Sequence, residues 1–269
     1  MASAMSSEAP EAILSISSQV AFGPVGNSAS VPAMERQGFT VYPVPTIILS
    51  FHPGNGPPSG LRVPARDLSA ILDALMGLGI LERCRGVLTG YFAANDQIFG
   101  VARTIRSMKK ANPSVLYLCD PVIGDDDSGL YVAEPVATGV RDELLPLADL
   151  STPNAFELGW LTGIPVDGPA AARRAAAALN VSTVVATSVP DGNRVLSTLL
   201  FGRAEAAVRT RLRDHVPHGV GDLLSGLFLA RWLCGDGEAG ALETTVAAVE
   251  RVLDASAGST ALNLQVLFA

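Results

Sequence analysis

The sequence lacks the features that mark membrane proteins and nucleic-acid-binding proteins. No run approaches the roughly 18 apolar residues of a membrane-spanning helix, and the first eleven residues hold neither a charged start nor an apolar segment long enough for export. The formal net charge is −7, and the longest basic run is Lys109-Lys110. We therefore expect a cytoplasmic protein that binds neither membranes nor nucleic acid.

Cysteine is scarce as well. The three cysteines, Cys84, Cys119 and Cys234, are odd in number, widely separated and set among apolar residues. A disulfide framework is therefore not expected, and a reducing compartment fits this content. No Cys/His spacing in the chain suits zinc.

Two common phosphate-binding motifs are also missing. The chain has no G-x-x-x-x-G-K-[ST] pattern, and no G-x-G-x-x-G follows its first predicted strand. A phosphate-binding site must therefore be formed by another kind of turn, late in the chain.

Segments of strand and helix character alternate through most of the chain. At 269 residues and 48% hydrophobic content, the sequence is long enough for one large α/β domain, which we place at residues 12–269 after a disordered tail at 1–11. The alternation predicts a mostly parallel sheet with right-handed crossovers. Strands are predicted at 12–17, 40–50, 86–91, 115–119, 148–151, 181–188 and 261–268, with an antiparallel pair at 193–201 and 204–212. Helices are predicted at 66–78, 96–111, 220–233 and 239–257.

A Gly-x-Gly-Asp turn precedes the most apolar predicted helix. Gly219 and Gly221 permit a turn without Cβ groups, and the N–H groups at the start of the following helix form a site for phosphate. Asp222 adds a carboxylate beside this site. Two interpretations stay open: Asp222 accepts a proton from a hydroxyl that attacks a phosphoryl group, or it is an ordinary N-cap.

An acidic turn follows the predicted strand at 115–119. Asp120, Asp125, Asp126 and Asp127 place four carboxylates within eight residues, and such charges repel one another unless solvent or a cation screens them. Mg²⁺ fits, because it takes one or two carboxylates together with phosphate oxygens. Asp126 and Asp127 also fit a plain exposed turn, whereas Asp120 directly ends a buried strand.

Another helix begins after the short strand at 148–151. Pro153 suits its first turn, and Glu157 lies about one turn further on. Capping is one account of Asn154 and Glu157. The other account is that both face the cleft of the acidic turn, where Glu157 holds a hydrated metal ion.

Polar residues and a long Gly/Pro segment follow the first two predicted strands. Ser17-Ser18-Gln19 lies where an open parallel sheet places its ligands, although a serine there also serves simply to close a turn. Pro43 and Pro45 predict an irregular or edge position in the second strand. Residues 51–64 are too rich in glycine and proline for a helix or a central strand, so they form either a connector or a lid.

Taken in order, these pieces resemble the ribokinase-like family of small-molecule kinases and, within it, the pyridoxal kinases. The resemblance covers residues 13–266, nearly the whole chain. Each piece alone is a weak signal, whereas six in the same order are a strong one. The matching residues are Ser18 with Gly26-Asn27-Ser28-Ala29, Leu88-Thr89-Gly90-Tyr91, Cys119-Asp120-Pro121-Val122, Thr152-Pro153-Asn154 with Phe156-Glu157, Gly219-Val220-Gly221-Asp222, and Leu264-Gln265-Val266.

The resemblance implies a fold and a reaction. The implied fold has three layers, with helices on both faces of a mostly parallel sheet. The implied reaction is ATP-dependent phosphorylation of the 5′-hydroxymethyl group of pyridoxal, giving pyridoxal 5′-phosphate as in vitamin B6 salvage. The implied cofactors are ATP and Mg²⁺, with a monovalent cation as a further candidate, and the implied assembly is a homodimer.

The resemblance also implies roles for individual residues. Asp222 is the base, and the amides of Gly219–Gly221 hold the phosphoryl group. Asp120, Asp125 and Glu157 lie on the metal side. By the same resemblance, the nucleotide is contacted by Asp120, Thr152, Asn154, Glu157, Thr187, Ser188, Gly219, Val220 and Gly221, and the vitamin by Ser18, Thr46, Pro53, Gly54, Tyr91 and Asp222.

The chain departs from the pyridoxal kinase pattern at the implied vitamin pocket. Ser17-Ser18-Gln19 stands for the usual Gln-Ser-His, Ser50-Phe51-His52-Pro53 for Ser-Asn-His-Thr, and Asn55 for an aromatic residue. Two alternatives therefore stay open. One is a kinase for another hydroxymethyl heterocycle, such as hydroxymethylpyrimidine; the other is a catalytically weak protein that binds pyridoxal or its phosphate. The presence of Asp222 favours an enzyme over a binding protein.

Overall fold

The computed structural model describes residues 11–268, and a nine-stranded sheet runs through its centre. Ten of the eleven residues of the predicted tail, 1–10, lie outside the described part. The strands are β1 Ala12–Phe22, β2 Thr40–Phe51, β3 Gly60–Arg62, β4 Cys84–Thr89, β5 Leu116–Cys119, β6 Gly124–Asp125, β7 Gly129–Leu130, β8 Leu150–Ser151, β9 Thr183–Pro190, β10 Val195–Phe201 and β11 Glu205–Arg211. The α-helices are α1 Asn27–Arg36, α2 Ala65–Gly77, α3 Asn95–Ala111, α4 Glu134–Gly139, α5 Ala155–Thr162, α6 Pro169–Ala178, α7 Val220–Leu233 and α8 Gly237–Ala255. Between residues 11 and 268, no helix combines the length and the apolar character that crossing a bilayer requires.

The core of the sheet is parallel. The strand order is β11-β10-β9-β8-β5-β4-β1-β2-β3. The six strands from β9 to β2 are parallel to one another, whereas the pairs β2–β3, β9–β10 and β10–β11 are antiparallel. The chain runs from β1 outward to β2 on one side and from β4 outward on the other. The order therefore reverses between β1 and β4, which is where open α/β sheets bind their ligands.

Helices cover both faces of this sheet. Leu14 and Ile16 of β1 belong to the same buried cluster as Leu72 of α2, whereas Ile13 of β1 belongs to a cluster with Phe228 of α7. Successive side chains of a strand point to opposite faces, so both faces of β1 are buried under helices. This explains why the central strands are continuous apolar runs. The predicted three-layer, mostly parallel α/β fold is confirmed.

The prolines of β2 lie along an open edge, as predicted. β3 pairs only with Ile47–Leu49 of β2. Pro43 and Pro45 precede that pairing and are matched on the other side by Ser15 and Ser17 of β1. Because proline has no N–H to donate, it is tolerated where no further strand needs that donor.

Residues 51–64 contain more order than the sequence indicates. A 3-10 turn spans Pro53–Asn55, and β3 forms an antiparallel hairpin with β2. The Ser50 N–H donates to the Ser59 carbonyl oxygen at 2.7 Å within this hairpin. The segment is thus a short hairpin at the edge of the sheet, not a structureless loop.

The predicted strand at 261–268 is wrong. This segment contains a 3-10 turn, Leu264–Leu267, and both edges of the sheet are already taken by β3 and β11. Leu262 and Leu267 are buried in a cluster with Leu227 of α7 and Val252 of α8. The alternating apolar residues therefore pack against two helices, which the same pattern also permits.

Candidate active site

The Gly219 turn lies at the N-terminus of α7, where the sequence predicts it. Gly219 is the N-cap with a φ of 99°, and a Cβ on it would lie 2.1 Å from the Pro24 carbonyl oxygen. Both the left-handed backbone and the close approach therefore require glycine. The amides of Val220 and Gly221 are donors that a helix leaves without an intrahelical acceptor, so the turn is suited to an anion.

Asp222 is the third residue of α7, so its interpretation as the N-cap is wrong. Gly219 takes that place, with no side-chain capping bond. Burial raises the pKa of Asp222 from 3.8 to about 6, and the backbone amides of Gly26 and of Asp222 itself partly offset that rise. A carboxylate whose pKa is raised toward neutrality is better matched to general-base chemistry.

Asp120 follows β5 and is tied to α7 by a buried hydroxyl. The Ser225 hydroxyl donates to Asp120 Oδ2 at 2.8 Å and lies 2.9 Å from the Thr152 hydroxyl. Because serine carries one hydroxyl proton, Thr152 donates to Ser225 when Ser225 donates to Asp120. Burial, followed by the charges of Glu157 and Asp222, raises the pKa of Asp120 well above its ordinary value.

Glu157 and Asn154 form a reciprocal cap at the start of α5. Asn154 Oδ1 accepts from the Glu157 N–H at 2.9 Å, and Glu157 Oε2 accepts from the Asn154 N–H at 2.9 Å. Pro153 lies before this N-cap, so its predicted place in the first turn is wrong. Burial raises the pKa of Glu157 to about 7, against the lowering effect of backbone amides.

The cap of α5 is also bonded to the acidic turn. Glu157 Oε1 accepts from the Ile123 N–H at 2.8 Å, and the Asn154 amide donates to the Gly124 carbonyl oxygen at 2.8 Å. Val122, just before, has a φ of 45°, a strained value for a β-branched residue. Asn154 and Glu157 therefore cap the helix and are also bonded to the acidic turn, whereas a hydrated metal ion on Glu157 stays a prediction.

The remaining acidic residues of this turn differ in their surroundings. Asp125 Oδ1 accepts from the Ser128 N–H at 2.6 Å inside the β6–β7 hairpin, and the Asp125 charge contributes to the raised pKa of Glu157. Asp126 and Asp127 are exposed. Among the residues that the structure describes, no three His, Cys, Asp or Glu side chains are grouped closely enough to hold a metal ion by themselves. The donor set fits a cation that keeps water and phosphate oxygens as ligands.

Tyr131 lies close enough to the clustered carboxylates to feel their charge, and it was not predicted from the sequence. Its N–H donates to the Ile123 carbonyl oxygen at 3.1 Å. Burial raises the pKa of the Tyr131 hydroxyl, and the charges of Glu157, Asp120 and Asp222 add to this effect, although 46% of the residue surface is exposed. Tyr131 directly follows β7. The strands β6 and β7 have two residues each, which is too short for the alternation of apolar and polar residues to predict them.

Hydroxyl groups line the opposite side of the switch point. The buried Thr46 hydroxyl donates to the Tyr91 carbonyl oxygen at 2.7 Å, and the Tyr91 N–H donates to Ser17 Oγ at 3.2 Å. Ser18 is buried beside Gly26, where a Cβ would lie 2.3 Å from Ser18 Oγ. β1 continues to Phe22, so the predicted end of the first strand at residue 17 is wrong. Ser18 and Thr46 lie within β1 and β2, and Tyr91 follows β4, close to the point where the pairing of β1 with β4 ends at Ile16 and Thr89.

Pro53 and Gly54 lie near the residue that precedes Gly219. Both are exposed, and a Cβ on Gly54 would lie 2.2 Å from His218 Nε2. His218 immediately precedes Gly219 in the chain. The segment at 51–64 is therefore in contact with the Gly219 turn.

Thr187 and Ser188 follow the buried part of β9. The Thr187 N–H donates to the Pro153 carbonyl oxygen at 2.9 Å, and Thr187 is paired with Asn154 in an isolated bridge. Ser188 is exposed and has a φ of 55°. Thr187 thus adjoins the α5 cap, whereas Ser188 lies further toward solvent.

Comparisons with known proteins point to one family. The family model described as phosphomethylpyrimidine kinase matches residues 63–264. The chain is 35% identical to the pyridoxal kinase PdxY of Corynebacterium diphtheriae over 244 residues, which cover 88% of this chain and 86% of that protein. It is 36% identical to the pyridoxal kinase PdxY of Rubrobacter xylanophilus over 268 residues, covering 96% and 91%.

A solved structure agrees with these relatives. The pyridoxal kinase of Leishmania donovani in complex with ADP and pyridoxamine has a TM-score of 0.87 and 30% sequence identity, covering 94% of this chain and 90% of that one. The structural similarity therefore extends over nearly the whole chain.

Proposed function

Because the chain belongs to the phosphomethylpyrimidine kinase family, we propose that it is a pyridoxal kinase, which transfers the γ-phosphoryl group of ATP to the 5′-hydroxymethyl group of pyridoxal. The observation that carries the proposal is Asp222, a carboxylate with a raised pKa in the first turn of α7. The relatives named pyridoxal kinase, and the ADP bound in the Leishmania structure, support the same substrates. The proposed role in the cell is vitamin B6 salvage.

In this proposal Asp222 removes the proton of the attacking hydroxyl. The amides of Gly219, Val220 and Gly221 stabilise the negative charge of the transferring phosphoryl group. Phosphoryl transfer depends mainly on positioning and on charge neutralisation, and the close packing of Gly219 on Pro24 holds these donors in place.

The carboxylate cleft is the proposed nucleotide and cation side. Asp120, Asp125 and Glu157 would hold Mg²⁺, in part through water, and a monovalent cation is a further candidate. When bound, the cation neutralises phosphate charge beside these carboxylates. We assign Thr152, Asn154 and Thr187 to the nucleotide, because they lie beside the same carboxylates, and we add Ser188 because it follows Thr187 on β9.

The hydroxyl-lined side is the proposed vitamin pocket. Ser18, Thr46 and Tyr91 would line it, and Pro53 and Gly54 would cover it. Ser18, Thr46 and Tyr91 lie around the switch point, and Gly54, which follows Pro53, lies against His218 beside the Gly219 turn. A second candidate substrate is hydroxymethylpyrimidine, because the matching family model carries the name of the phosphomethylpyrimidine kinases.

The test is ATP consumption by the purified protein with pyridoxal, pyridoxine, pyridoxamine and hydroxymethylpyrimidine. We expect turnover with the B6 vitamers, and a folded Asp222→Asn variant that binds nucleotide but turns over about 10²–10⁴ times more slowly. Preferential turnover of hydroxymethylpyrimidine would support the second candidate. Binding of pyridoxal without turnover would instead indicate a storage or sensing protein.

The remaining proposals concern the whole molecule. We propose that residues 12–269 act as one kinase domain whose lid is the segment at 51–64, and that the enzyme is a homodimer, as the family resemblance implies. A cytoplasmic location is supported by cysteine chemistry, since Cys84 and Cys119 are buried as free thiols. Light scattering of the purified protein tests the dimer.

A further inference from the structure

Two histidines from distant parts of the chain stack at the edge of the candidate active site. His52 follows β2, and His218 immediately precedes Gly219. Their ring centroids are 3.9 Å apart and the ring planes differ by 28°. This near-parallel arrangement joins the 51–64 segment to the turn that holds Val220 and Gly221.

Gly54 lies against the edges of the two stacked rings. Its N–H donates to His52 Nδ1 at 3.1 Å, and a Cβ on it would lie 2.2 Å from His218 Nε2 and 3.0 Å from His52 Nδ1. Real Cβ atoms do not approach so closely, so glycine is required here by packing rather than by backbone conformation. The 3-10 turn at Pro53–Asn55 can therefore lie directly against His218.

Protonation favours the stack. Nδ1 of His52 accepts a hydrogen bond, so a neutral His52 carries its proton on Nε2. Burial, and then the neighbouring His218, lower the pKa of His52 to about 4. A neutral His52 does not repel His218, and a stacked aromatic pair contributes about 0.5–1.5 kcal/mol beyond the area it buries.

Apart from this contact, the tip of the segment is held by a short hairpin only. Pro53, Gly54 and Asn55 are exposed. The hairpin behind them consists of three residue pairs between Ile47–Leu49 and Gly60–Arg62, with further bonds between Ser50 and Ser59. A contact at the tip of so short a hairpin has a large effect on how often the tip opens.

We propose that His52 and His218 are positioning residues that clamp the tip of the 51–64 segment onto the Gly219 turn, keeping water from the side where the acceptor hydroxyl meets the phosphoryl group. The effect on turnover rests on the proposed kinase function, whereas the clamp itself is a property of the ligand-free protein. Loss of the clamp should raise KM for pyridoxal more than KM for ATP. It should also increase ATP hydrolysis in the absence of vitamin, because water then reaches the phosphoryl group.

The test compares His218→Ala, His218→Phe and His215→Ala with the wild type. His215→Ala is the matched control, because it removes an exposed histidine three residues away that is not part of the stack. Amide hydrogen exchange of residues 53–59 in the ligand-free protein should be about two- to tenfold faster in His218→Ala. His218→Phe keeps a stacking ring, so it should match the wild type and rescue the KM for pyridoxal.

Two results would overturn the clamp. One is unchanged exchange at 53–59 in His218→Ala; the other is a His218→Phe variant that exchanges as fast as His218→Ala. If the wild type failed to phosphorylate pyridoxal while His218→Ala still showed faster exchange, the proposed function would be wrong and the clamp would stand.

Discussion

At the scale of single residues, Asp222 has the clearest chemical consequence. Its carboxylate must be ionised to accept a proton, and burial raises its pKa to about 6. We therefore expect kcat/KM for pyridoxal to fall about tenfold per pH unit as the pH drops below about 6. The measurement is the pH dependence of initial rates at limiting pyridoxal. An acidic limb near the ordinary aspartate value would contradict a buried base, and the residual activity of Asp222→Asn should lack the limb altogether.

Glu157 combines structural and chemical roles in one side chain. Its two carboxylate oxygens accept from the Ile123 and Asn154 amides. A glutamine there must turn its NH₂ group toward one of these donors, leaving a buried N–H unpaired. We expect Glu157→Gln to lower the free energy of unfolding by about 1–3 kcal/mol near pH 5, where the wild-type carboxyl is already largely protonated and loss of its charge brings no gain, and to weaken Mg²⁺-dependent activity. Thermal melting and a Mg²⁺ titration measure the two effects.

The control for Glu157 is Asp125→Asn. The asparagine keeps the oxygen that accepts from the Ser128 N–H and removes only the charge. Its Mg²⁺ response should weaken while its melting temperature stays unchanged. A Glu157→Gln variant with wild-type stability and wild-type Mg²⁺ dependence would show that the Glu157 charge has neither role.

At the scale of elements, the segment at 51–64 leads to a prediction about ligand binding. Its glycines permit movement, its prolines limit the range of that movement, and its tip lies on the Gly219 turn. We expect amide exchange across 51–60 to slow when ATP and pyridoxal are both bound, because the bound substrates then make opening of the tip less frequent. Mass spectrometry of the apo, single-ligand and ternary states provides the measurement. Equal exchange in all states would leave the segment a plain connector.

Elements with strong local signals could be predicted from the sequence, and those that depend on distant packing could not. α7 begins and ends at the predicted residues, because the Gly219 turn and the apolar run after it act locally. Residues 261–268 form no strand, because their apolar residues are satisfied by α7 and α8 rather than by a sheet edge. Tyr131, Ser225 and the contact of His52 with His218 were not expected either, because each reaches the site through contacts with residues that are distant in the sequence.

At the scale of the whole molecule, the clustered carboxylates oppose folding at neutral pH. The pKa values of Asp222 and Glu157 are raised to about 6 and about 7 in the folded protein, so the native state binds more protons than the unfolded chain above about pH 4. The stability contributed by these protons is complete below the unfolded pKa values and is lost as the pH rises through 6 and 7. The ligand-free enzyme should therefore be more stable near pH 5 than near pH 8, as far as these two groups are concerned.

Asp222→Asn tests this cost directly. Burial raises the pKa of Asp222 from 3.8 to about 6, and after allowance for the partial exposure of this residue the rise corresponds to about 1–2 kcal/mol of stability. We expect Asp222→Asn to melt a few degrees higher than the wild type at pH 8 and to lose that advantage toward pH 4, in thermal unfolding without nucleotide. Asp96→Asn is the matched control, because Asp96 also lies in a first helical turn but is exposed. Its loss of the favourable helix-dipole interaction should lower stability slightly. An Asp222→Asn variant that is less stable than the wild type at pH 8 would contradict this prediction. It would mean that the ionised Asp222 carboxylate stabilises the folded protein.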